Sequence, residues 1–268
     1  MYTKSNIKEH LARLGAPKDK PVIVHTSLRM VGDVEGGCAG LLDALIEYFT
    51  EDGGLLCIPT HTWDNLGTDR ITLDMTNPES NLGALTVSAA RDRRGVRSEN
   101  PSHSMMVFGD REGAIALIRD DAKVKTPTAP ESAYGKIIDA GGAVLLLGVS
   151  QANNTMLHCI AQRLELPNRM GTTPIHTTVK RLDGKIIDRD IFIYETDYTN
   201  DISYRFTKYE TAFRYHGAIK DGFVGDAPTQ LCDAKKMLDT VRLIFERSHG
   251  ADPLKDEAPI PPSYYSKG

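Results

Sequence analysis

The chain has 268 residues, of which 40% are hydrophobic and 25% are charged, and its formal net charge is −4. This length is enough to bury a substantial core, and the mildly acidic balance argues against nucleic acid as a partner, since phosphate binding requires a concentrated basic face. No apolar run approaches the roughly 18 to 20 residues that cross a bilayer, and the first residues lack an apolar signal segment, so we expect a cytoplasmic protein without a membrane partner.

The first half of the chain alternates helices and strands. Asn6 with Glu9 three residues later has capping-box spacing and predicts a helix that ends at Gly15. In chain order, a strand follows at 21–26, a helix at 40–50, a strand at 54–60 and helices at 82–93 and 112–118. Strand, loop and helix in this order predict a layered α/β fold.

The second half contains the clearest strand signal, the run AVLLLGV at 143–149. An uninterrupted apolar run is typical of a strand buried on both faces. A helix at 153–164 follows, with Asn153 or Asn154 as its cap. Alternating residues around Asp183 and Gly184 predict an antiparallel hairpin with a type I′ turn near 175–195. Further helices are predicted at 204–216 and 234–247, before an extended tail at 252–268.

Together these elements predict one domain over residues 1–268. Its expected architecture is a layered αβα arrangement around a central mixed sheet, with a smaller antiparallel β insert. The four cysteines form no CxxC pair and have no metal-like spacing with histidine, so we expect them to be reduced, with neither a disulfide framework nor a metal site. They are Cys38, Cys57, Cys159 and Cys232.

A group of mostly polar residues lies where the first predicted strand runs out into a loop, at the end where open α/β sheets bind ligands. They are His25, Thr26, Ser27 and Leu28, with Gly32 after them. Glycine and small hydroxyl residues let backbone N–H groups approach phosphate oxygens, which favours a phosphate-bearing ligand here. An ordinary turn, in which the hydroxyls satisfy local backbone groups, is the alternative.

Other candidate residues lie after later strands. Thr60 leads into a polar loop that contains Trp63, and this placement indicates a binding face or, alternatively, a buried aromatic anchor. The segment from Arg97 to Ser104 indicates either a site or structural hydrogen bonds of the arginine. His158 lies in the helix after AVLLLGV, and its ordinary pKa near 6.5 suits a general base, although a packed helix histidine is the alternative.

In their order and spacing these segments resemble the aminoglycoside N3-acetyltransferase family, the antibiotic acetyltransferases that use acetyl-CoA. The matching motifs are HTSLRMVG (25–32), GGLLCIPTHTW (53–63), LGAL (82–85), RSENPSHS (97–104) and GAVLLLGVSQANNTMLH (142–158), with a weaker match in GFVGDAPTQLCDA (222–234). The resemblance implies direct acetyl transfer from acetyl-CoA to a small-molecule amine, plausibly the 3-amino group of an aminoglycoside, by a monomer or homodimer.

The resemblance also implies roles for individual residues. It makes His158 the general base and places Thr155 beside the reacting carbonyl, without a covalent acyl-enzyme. No residue is assigned to a metal ion, and whether an ion takes part stays open. Residues assigned to coenzyme A are His25, Thr26, Ser27, Leu28 and Gly32 near the pyrophosphate and Thr60, Ser98 and Ser104 near the pantetheine arm. Acidic residues expected to bind a cationic acceptor are Asp64, Asp69, Asp74, Glu79 and Glu210.

Two positions depart from the family pattern. Ala161 stands where a glutamate usually follows the histidine by three residues, and Asn100 replaces a histidine before the proline. A missing carboxylate affects both orientation of the imidazole and attraction of a cationic amine, and Glu165 is one turn too far along to be assumed as its replacement. A different amine acceptor and a CoA-binding protein with weak catalysis therefore stay open. A hydrolase using Ser27 or Ser104 is disfavoured because neither lies in a GxSxG motif.

Overall fold

In the computed structural model, which describes residues 1–167, 169–194 and 201–266, the central strands bury side chains on both faces. In β1 (Pro21–Thr26), Ile23 packs into one core cluster, whereas Val22 and Val24 pack into a second. Successive residues of a strand point to opposite faces, so the two clusters lie on opposite sides of one sheet. Burial on both sides explains why the central strands are uninterrupted apolar runs.

The helices and strands are numbered in chain order. The helices are α1 (Lys4–Leu14), α2 (Leu28–Val31), α3 (Gly37–Thr50), α4 (Ala84–Arg91), α5 (Arg111–Ile118), α6 (Ala133–Asp139), α7 (Met156–Arg163), α8 (Glu210–Tyr215) and α9 (Ala234–Arg247). The strands after β1 are β2 (Leu55–Pro59), β3 (Leu73–Asp74), β4 (Val96–Arg97), β5 (Met105–Phe108), β6 (Ala143–Leu147), β7 (Ile175–Lys180), β8 (Ile186–Ile191), β9 (Ile219–Val224) and β10 (Ala227–Asp233).

Within the described residues, seven strands form the main sheet in the order β4-β5-β2-β1-β6-β10-β9. Strands β2 and β6 run parallel to β1, while β5 is antiparallel to β2 and β10 is antiparallel to β6. Helices α1, α3 and α4 contribute to the core on one face, and α5, α6, α7 and α9 to the core on the other. The predicted layered α/β fold with a central mixed sheet is confirmed.

A smaller sheet contains β3, β7 and β8 in that order. The predicted antiparallel hairpin is present as β7 and β8, but β3 joins β7 in parallel. The turn differs from the predicted type I′. The N–H of Gly184 donates to the carbonyl of Arg181 over 2.9 Å, and Gly184 adopts a φ of 81°, whereas Asp183 does not have a positive φ. This is a three-residue hairpin loop with a glycine bulge.

Several predicted boundaries move for local reasons. The cap of α1 is Thr3, whose hydroxyl accepts from the N–H of Asn6, so Asn6 is the third helical residue rather than the cap. The predicted C-terminal Gly15 is confirmed, with a φ of 74°. The helix predicted at 153–164 begins as a 3₁₀ turn at Gln151–Asn153, and α7 starts at Met156, whose N–H donates to Oδ1 of Asn154 over 3.2 Å.

The C-terminal part also differs from the prediction. A 3₁₀ segment at Ile202–Tyr209 precedes α8 where one helix was expected. The hairpin of β9 and β10 was missed, although Gly225 and Asp226 separate two short strand-like segments.

Glu195 of the predicted insert and Lys267 and Gly268 of the predicted tail lie outside the described residues. The assignment of residues 1–268 to one domain stays a prediction. Across the described parts of the chain, no helix combines the length and apolarity needed to cross a membrane.

The tail packs closely on the molecule. Leu254, Ile260 and Tyr265 are buried in the same core cluster as α7 and α9. The guanidinium of Arg169 donates two hydrogen bonds to the carboxylate of Asp252, and both side chains are buried, at 4% and 11% exposed. Burial favours a higher pKa for Asp252, but the hydrogen bonds from Arg169 and from the Leu254 amide outweigh it, so its pKa is lowered.

Replacing Asp252 with asparagine is expected to destabilise the protein. The change keeps the shape of the side chain but leaves the Arg169 guanidinium buried without a counter-charge, which typically costs about 3 to 5 kcal/mol. Thermal unfolding at pH 7 should show a Tm lower by roughly 10 °C. Asp256→Asn, at an exposed carboxylate of the same tail, is the matched control. Equal Tm values for the two variants would contradict this prediction.

Candidate active site

Four loops converge at one edge of the main sheet. Strands β1, β2 and β6 are parallel, so their carboxyl ends share this edge. Because β5 is antiparallel to β2, the residues before β5 arrive there as well. The N–H of Thr60 donates to the carbonyl of Ser104 over 2.7 Å, and the N–H of Thr62 donates to that of Ser102 over 3.1 Å. The sheet therefore brings together the segments that the sequence marked as separate candidates.

The end of β1 carries buried polar atoms without partners, and the segment that follows it contains a closely packed glycine. Nε2 of His25 and Oγ1 of Thr26 are buried and have no hydrogen-bond partner among the described residues. Burial lowers the pKa of His25 to about 4. The N–H of Ser27 donates to the carbonyl of Leu147 over 2.9 Å, which fixes the loop to β6. Gly32 has a φ of 83°, and a Cβ there would lie 2.3 Å from Oδ2 of Asp226.

The serine and threonine residues around Arg97 are buried. Thr60 and Ser104 have hydroxyls 3.1 Å apart, and Nε of Arg97 donates to Oγ of Ser104 over 3.2 Å. Nη2 of Arg97 donates to the carbonyls of Thr60 and Glu79, each over 2.7 Å. The Ser98 hydroxyl accepts from the Met105 amide. Arg97 therefore makes the structural hydrogen bonds that the sequence analysis gave as the alternative to a role in ligand binding. The assignment of the hydroxyls to the pantetheine arm stays a prediction.

His158 belongs to a chain of stacked and edge-on rings, which we call the ring cluster. Its ring is stacked on Tyr194, with centroids 3.9 Å apart and planes inclined by 19°, and meets Phe206 edge-on at 4.9 Å. Tyr194 contacts His103 at 5.6 Å, and His103 lies 4.4 Å from His61. The ring cluster consists of Trp63, His61, His103, Tyr194, His158 and Phe206.

The ring cluster holds its histidines in the neutral form. Burial lowers the pKa of His158 to about 4, with the nearby Asp201 raising it and Arg169 lowering it further. Burial and the neighbouring histidines also hold the pKa of His61 well below its ordinary value, and burial does the same for His103. His61 keeps one defined partner, the Tyr134 hydroxyl, 3.0 Å from its Nε2. A neutral imidazole is free to accept a proton at physiological pH, but a pKa this low also makes it a weaker base than an ordinary histidine.

Thr155 and His158 are in the same turn. The N–H of His158 donates to the carbonyl of Thr155 over 3.1 Å at the start of α7. The next residue, Cys159, is fully buried, and burial raises the pKa of its thiol to about 12. A thiol in this state is a poor nucleophile. All four cysteines are free, as expected from the sequence.

The predicted acceptor-binding carboxylates do not form one group. Asp74 and Glu79 line an open hollow of about 250 Å³ together with Thr62 and Arg70. Asp64 accepts from Nδ2 of Asn81 over 2.7 Å, and Asp69 is exposed on the same loop. Glu210, in contrast, is bound by Arg214 and Gln230 at the start of α8. Glu210 does not line the hollow, and all these roles stay predictions.

The two departures from the family pattern have clear structural settings. Ala161 is buried in the apolar core beside α7, so no carboxylate lies at this position. Glu165 is exposed just past the end of α7, with a left-handed φ of 51°. Asn100 is buried, and its side chain donates to the carbonyl of Pro127 over 2.7 Å and accepts from the amide of His103 over 3.0 Å. Asn100 therefore fixes the loop that carries one ring of the cluster.

The sequence analysis missed Tyr194, Phe206 and His103 as parts of the site. Tyr194 comes from the end of the small-sheet insert, and Phe206 comes from the 3₁₀ segment, both far from His158 in sequence. A local pattern carries no signal for such contacts. Of these three residues, only His103 lies inside one of the family-like motifs, RSENPSHS (97–104).

The layered α/β fold brings a neutral histidine and a glycine-containing loop to the carboxyl edge of the sheet, where open α/β sheets bind ligands. The chain belongs to the aminoglycoside 3-N-acetyltransferase family, whose model matches residues 23–246. This match confirms the resemblance and the predicted class of enzyme, an acetyl-CoA-dependent acyltransferase.

Individual relatives are similar over most of their length. Aminoglycoside N(3)-acetyltransferase IV of Salmonella sp is 26% identical over 239 residues, covering 89% of this chain and 85% of the relative. The crystal structure of the apoenzyme of AAC(3)-IVa has a TM-score of 0.76 at 26% identity, covering 94% of this chain and 90% of that one. A mutant of the same enzyme in complex with a gentamicin also has a TM-score of 0.76, at 92% and 90% coverage.

Proposed function

We propose that this protein transfers the acetyl group of acetyl-CoA to the 3-amino group of an aminoglycoside, with His158 as general base. The observation that carries the proposal is the position of His158: a neutral imidazole in the first turn of α7, at the edge where the loops after β1, β2 and β6 meet. Membership of the family and the gentamicin complex of a similar enzyme support the acceptor class.

The loop after β1 has the features that a phosphate-bearing cosubstrate requires. The last two residues of β1, His25 and Thr26, each carry a buried polar atom that lacks a partner among the described residues, one on each face of the sheet, and the lack of a Cβ at Gly32 lets the chain pass close to Asp226. Ser27, Leu28 and the backbone as far as Gly32 would hold the nucleotide end. When bound, the thioester supplies an acetyl group that is already activated for attack by an amine.

The chain's own residues then have three tasks. They align the amine, accept its proton and stabilise the charge that develops on the carbonyl oxygen. In the proposal His158 accepts the proton from the attacking nitrogen and Thr155, one turn earlier, assists the oxyanion. The hollow lined by Asp74 and Glu79 attracts the acceptor's other ammonium groups.

A second acceptor class, an amine with fewer positive charges, is favoured by one observation. Carboxylates predicted to bind a polycation are already engaged within the protein: Asp74 by Lys180 over 3.1 Å and Glu210 by Arg214 over 2.9 Å. Engaged carboxylates attract a cationic ligand less strongly.

The direct test measures thiol release from acetyl-CoA with gentamicin and other aminoglycosides, beside simple amino sugars as the second class. The expected result is turnover with an aminoglycoside and a product whose NMR spectrum shows acetylation at the 3-amino group. Turnover with amino sugars alone would replace the first acceptor class with the second. Tight binding of acetyl-CoA with no turnover for any amine would overturn both.

Gly32→Ala is expected to weaken the use of acetyl-CoA. The new methyl group clashes with Asp226 and the left-handed φ disfavours alanine, so the loop shifts and the KM for acetyl-CoA rises several-fold, with a smaller effect on the KM of the acceptor. Gly53→Ala is the matched control, because Gly53 has nearly the same φ of 85° but no described atom within 4 Å of its added Cβ. Steady-state kinetics of both variants give their KM values for acetyl-CoA. Equal KM values in Gly32→Ala and Gly53→Ala would refute the role of the loop.

A further inference from the structure

The imidazole of His158 is held by packing rather than by a carboxylate. Its Nδ1 is buried and has no hydrogen-bond partner among the described residues. Ala161, three residues along α7, provides a methyl group to the core and no hydrogen-bond acceptor. What restrains the ring is the nearly parallel face of Tyr194 at 3.9 Å and the edge contact with Phe206.

Tyr194 is itself fixed at its far end. Its hydroxyl is hydrogen-bonded to the hydroxyl of Thr128 and receives a hydrogen bond from Nε2 of Gln162 over 3.3 Å. Gln162 also donates to Thr128 over 2.7 Å and accepts from Thr126. Since Gln162 lies one turn after His158 on α7, the tyrosine is tied to the helix that carries the histidine. Tyr194 is only 7% exposed, so its ring has little freedom to move.

We propose that Tyr194 is a positioning residue for acyl transfer, which orients the His158 imidazole by ring stacking at the place where the family pattern relies on a carboxylate. The proposal rests on the proposed function of His158 as the base. A stacked aromatic face restricts rotation of the imidazole and excludes water from one side of it, without adding a negative charge. The base is therefore neutral over a wider pH range than a histidine paired with a carboxylate would be.

Charged and titratable groups face His158 from several elements packed against it. Asp201, at the start of the 3₁₀ segment, raises the pKa of His158, whereas Arg169, beyond the end of α7, lowers it. Within the described part of the chain, the other titratable neighbours are neutral rings. These groups together are Arg169, Asp201, His61, His103 and Tyr194.

The test compares three variants of the full chain. Tyr194→Leu removes the stacked ring, Tyr194→Phe keeps the ring but not its anchor, and Tyr204→Leu is the control at a tyrosine that is 70% exposed. Two quantities are measured: kcat with acetyl-CoA saturating, and the titration of the His158 Cε1 signal by NMR in the free protein. The His158→Ala spectrum assigns that signal.

We expect Tyr194→Leu to lower kcat about 100-fold, as misplacement of a catalytic group does, with little change in the KM of acetyl-CoA. Its His158 should titrate closer to the ordinary value of about 6.5, because water reaches the ring. Tyr194→Phe should keep the low titration midpoint and lose less activity, and Tyr204→Leu should match the parent protein.

Two results would overturn the proposal. One is an unchanged His158 titration in Tyr194→Leu; the other is a loss of kcat that follows the fall in Tm equally in both Tyr194 variants. If Tyr194→Leu does not fold, Tyr194→Met, which also removes the stacked ring but keeps a long apolar side chain, takes its place with the same readouts. The NMR titration needs no acceptor, so a shifted His158 in a protein that acetylates no amine would contradict the proposed function and leave the stacking role intact.

Discussion

His158→Ala is expected to lower kcat for acetyl transfer by about 10² to 10⁴-fold, the range by which general-base catalysis accelerates reactions. The cause is loss of the proton acceptor: the attacking amine then gives up its proton only to water, which is a much weaker base. Binding of acetyl-CoA should persist, because the loop after β1 that would hold its nucleotide end does not include α7.

The measurement is thiol release under saturating acetyl-CoA, together with calorimetry of acetyl-CoA binding. The exposed His176, on the small sheet, supplies the control variant His176→Ala, which should keep full activity. Activity of His158→Ala within a few-fold of the parent protein would remove His158 from the mechanism. Loss of both activity and acetyl-CoA binding would point to a folding defect, which a thermal unfolding curve detects.

Lowering the pH from 7 to 5 is expected to decrease the free energy of unfolding strongly. His25 and His158 have pKa values lowered to about 4 by burial, and the pKa values of His61 and His103 lie well below the ordinary one. In the unfolded chain each titrates near 6.5, so unfolding at pH 5 takes up about four protons. Stability from these groups is therefore complete above about pH 6.5 and decreases as the pH falls toward 4.

One buried carboxyl has the opposite effect on the pH dependence of stability. Burial raises the pKa of Asp121 to about 6, against the hydrogen bond that it accepts from the Ala133 amide. Between about pH 4 and 6 the folded protein thus holds one proton that the unfolded chain releases. The histidines outnumber this carboxyl, so unfolding takes up protons on balance and the free energy of unfolding decreases as the pH falls from 6.5.

Urea unfolding at pH 7.0, 6.0 and 5.0 measures this dependence. His103→Gln, which removes one buried titrating ring, should reduce the slope by about 1.4 kcal/mol per pH unit. A free energy of unfolding that stays constant between pH 7 and pH 5 would show that these histidines titrate alike in the folded and unfolded chain. Such a result would also remove the argument that His158 is neutral because it is buried.

Elements with a strong local signal were predicted well from the sequence. The strand at 21–26 and the helix at 234–247 have the predicted bounds, since an apolar run and a 3.6-residue repeat require only neighbouring residues. The predictions that needed correction are those where the local sequence allows two similar caps or two similar turns. The capping box of α1 lies three residues earlier than predicted, at Thr3 and Asn6, and the loop at Gly184 has a glycine bulge instead of a type I′ turn.

The candidate site divides in the same way. The sequence could place Ser27 and Thr60 at one edge of the sheet because parallel strands have their carboxyl ends there, and it could place His158 in the helix that follows β6, whereas their roles stay predictions. The residues that surround His158 were not predicted from the sequence. Tyr194 and Phe206 reach it through the small sheet and the 3₁₀ segment, and the chemistry of an imidazole depends on which rings and charges surround it. Those contacts join residues far apart in the chain, so burial and the resulting low pKa of the base arise only once the chain has folded.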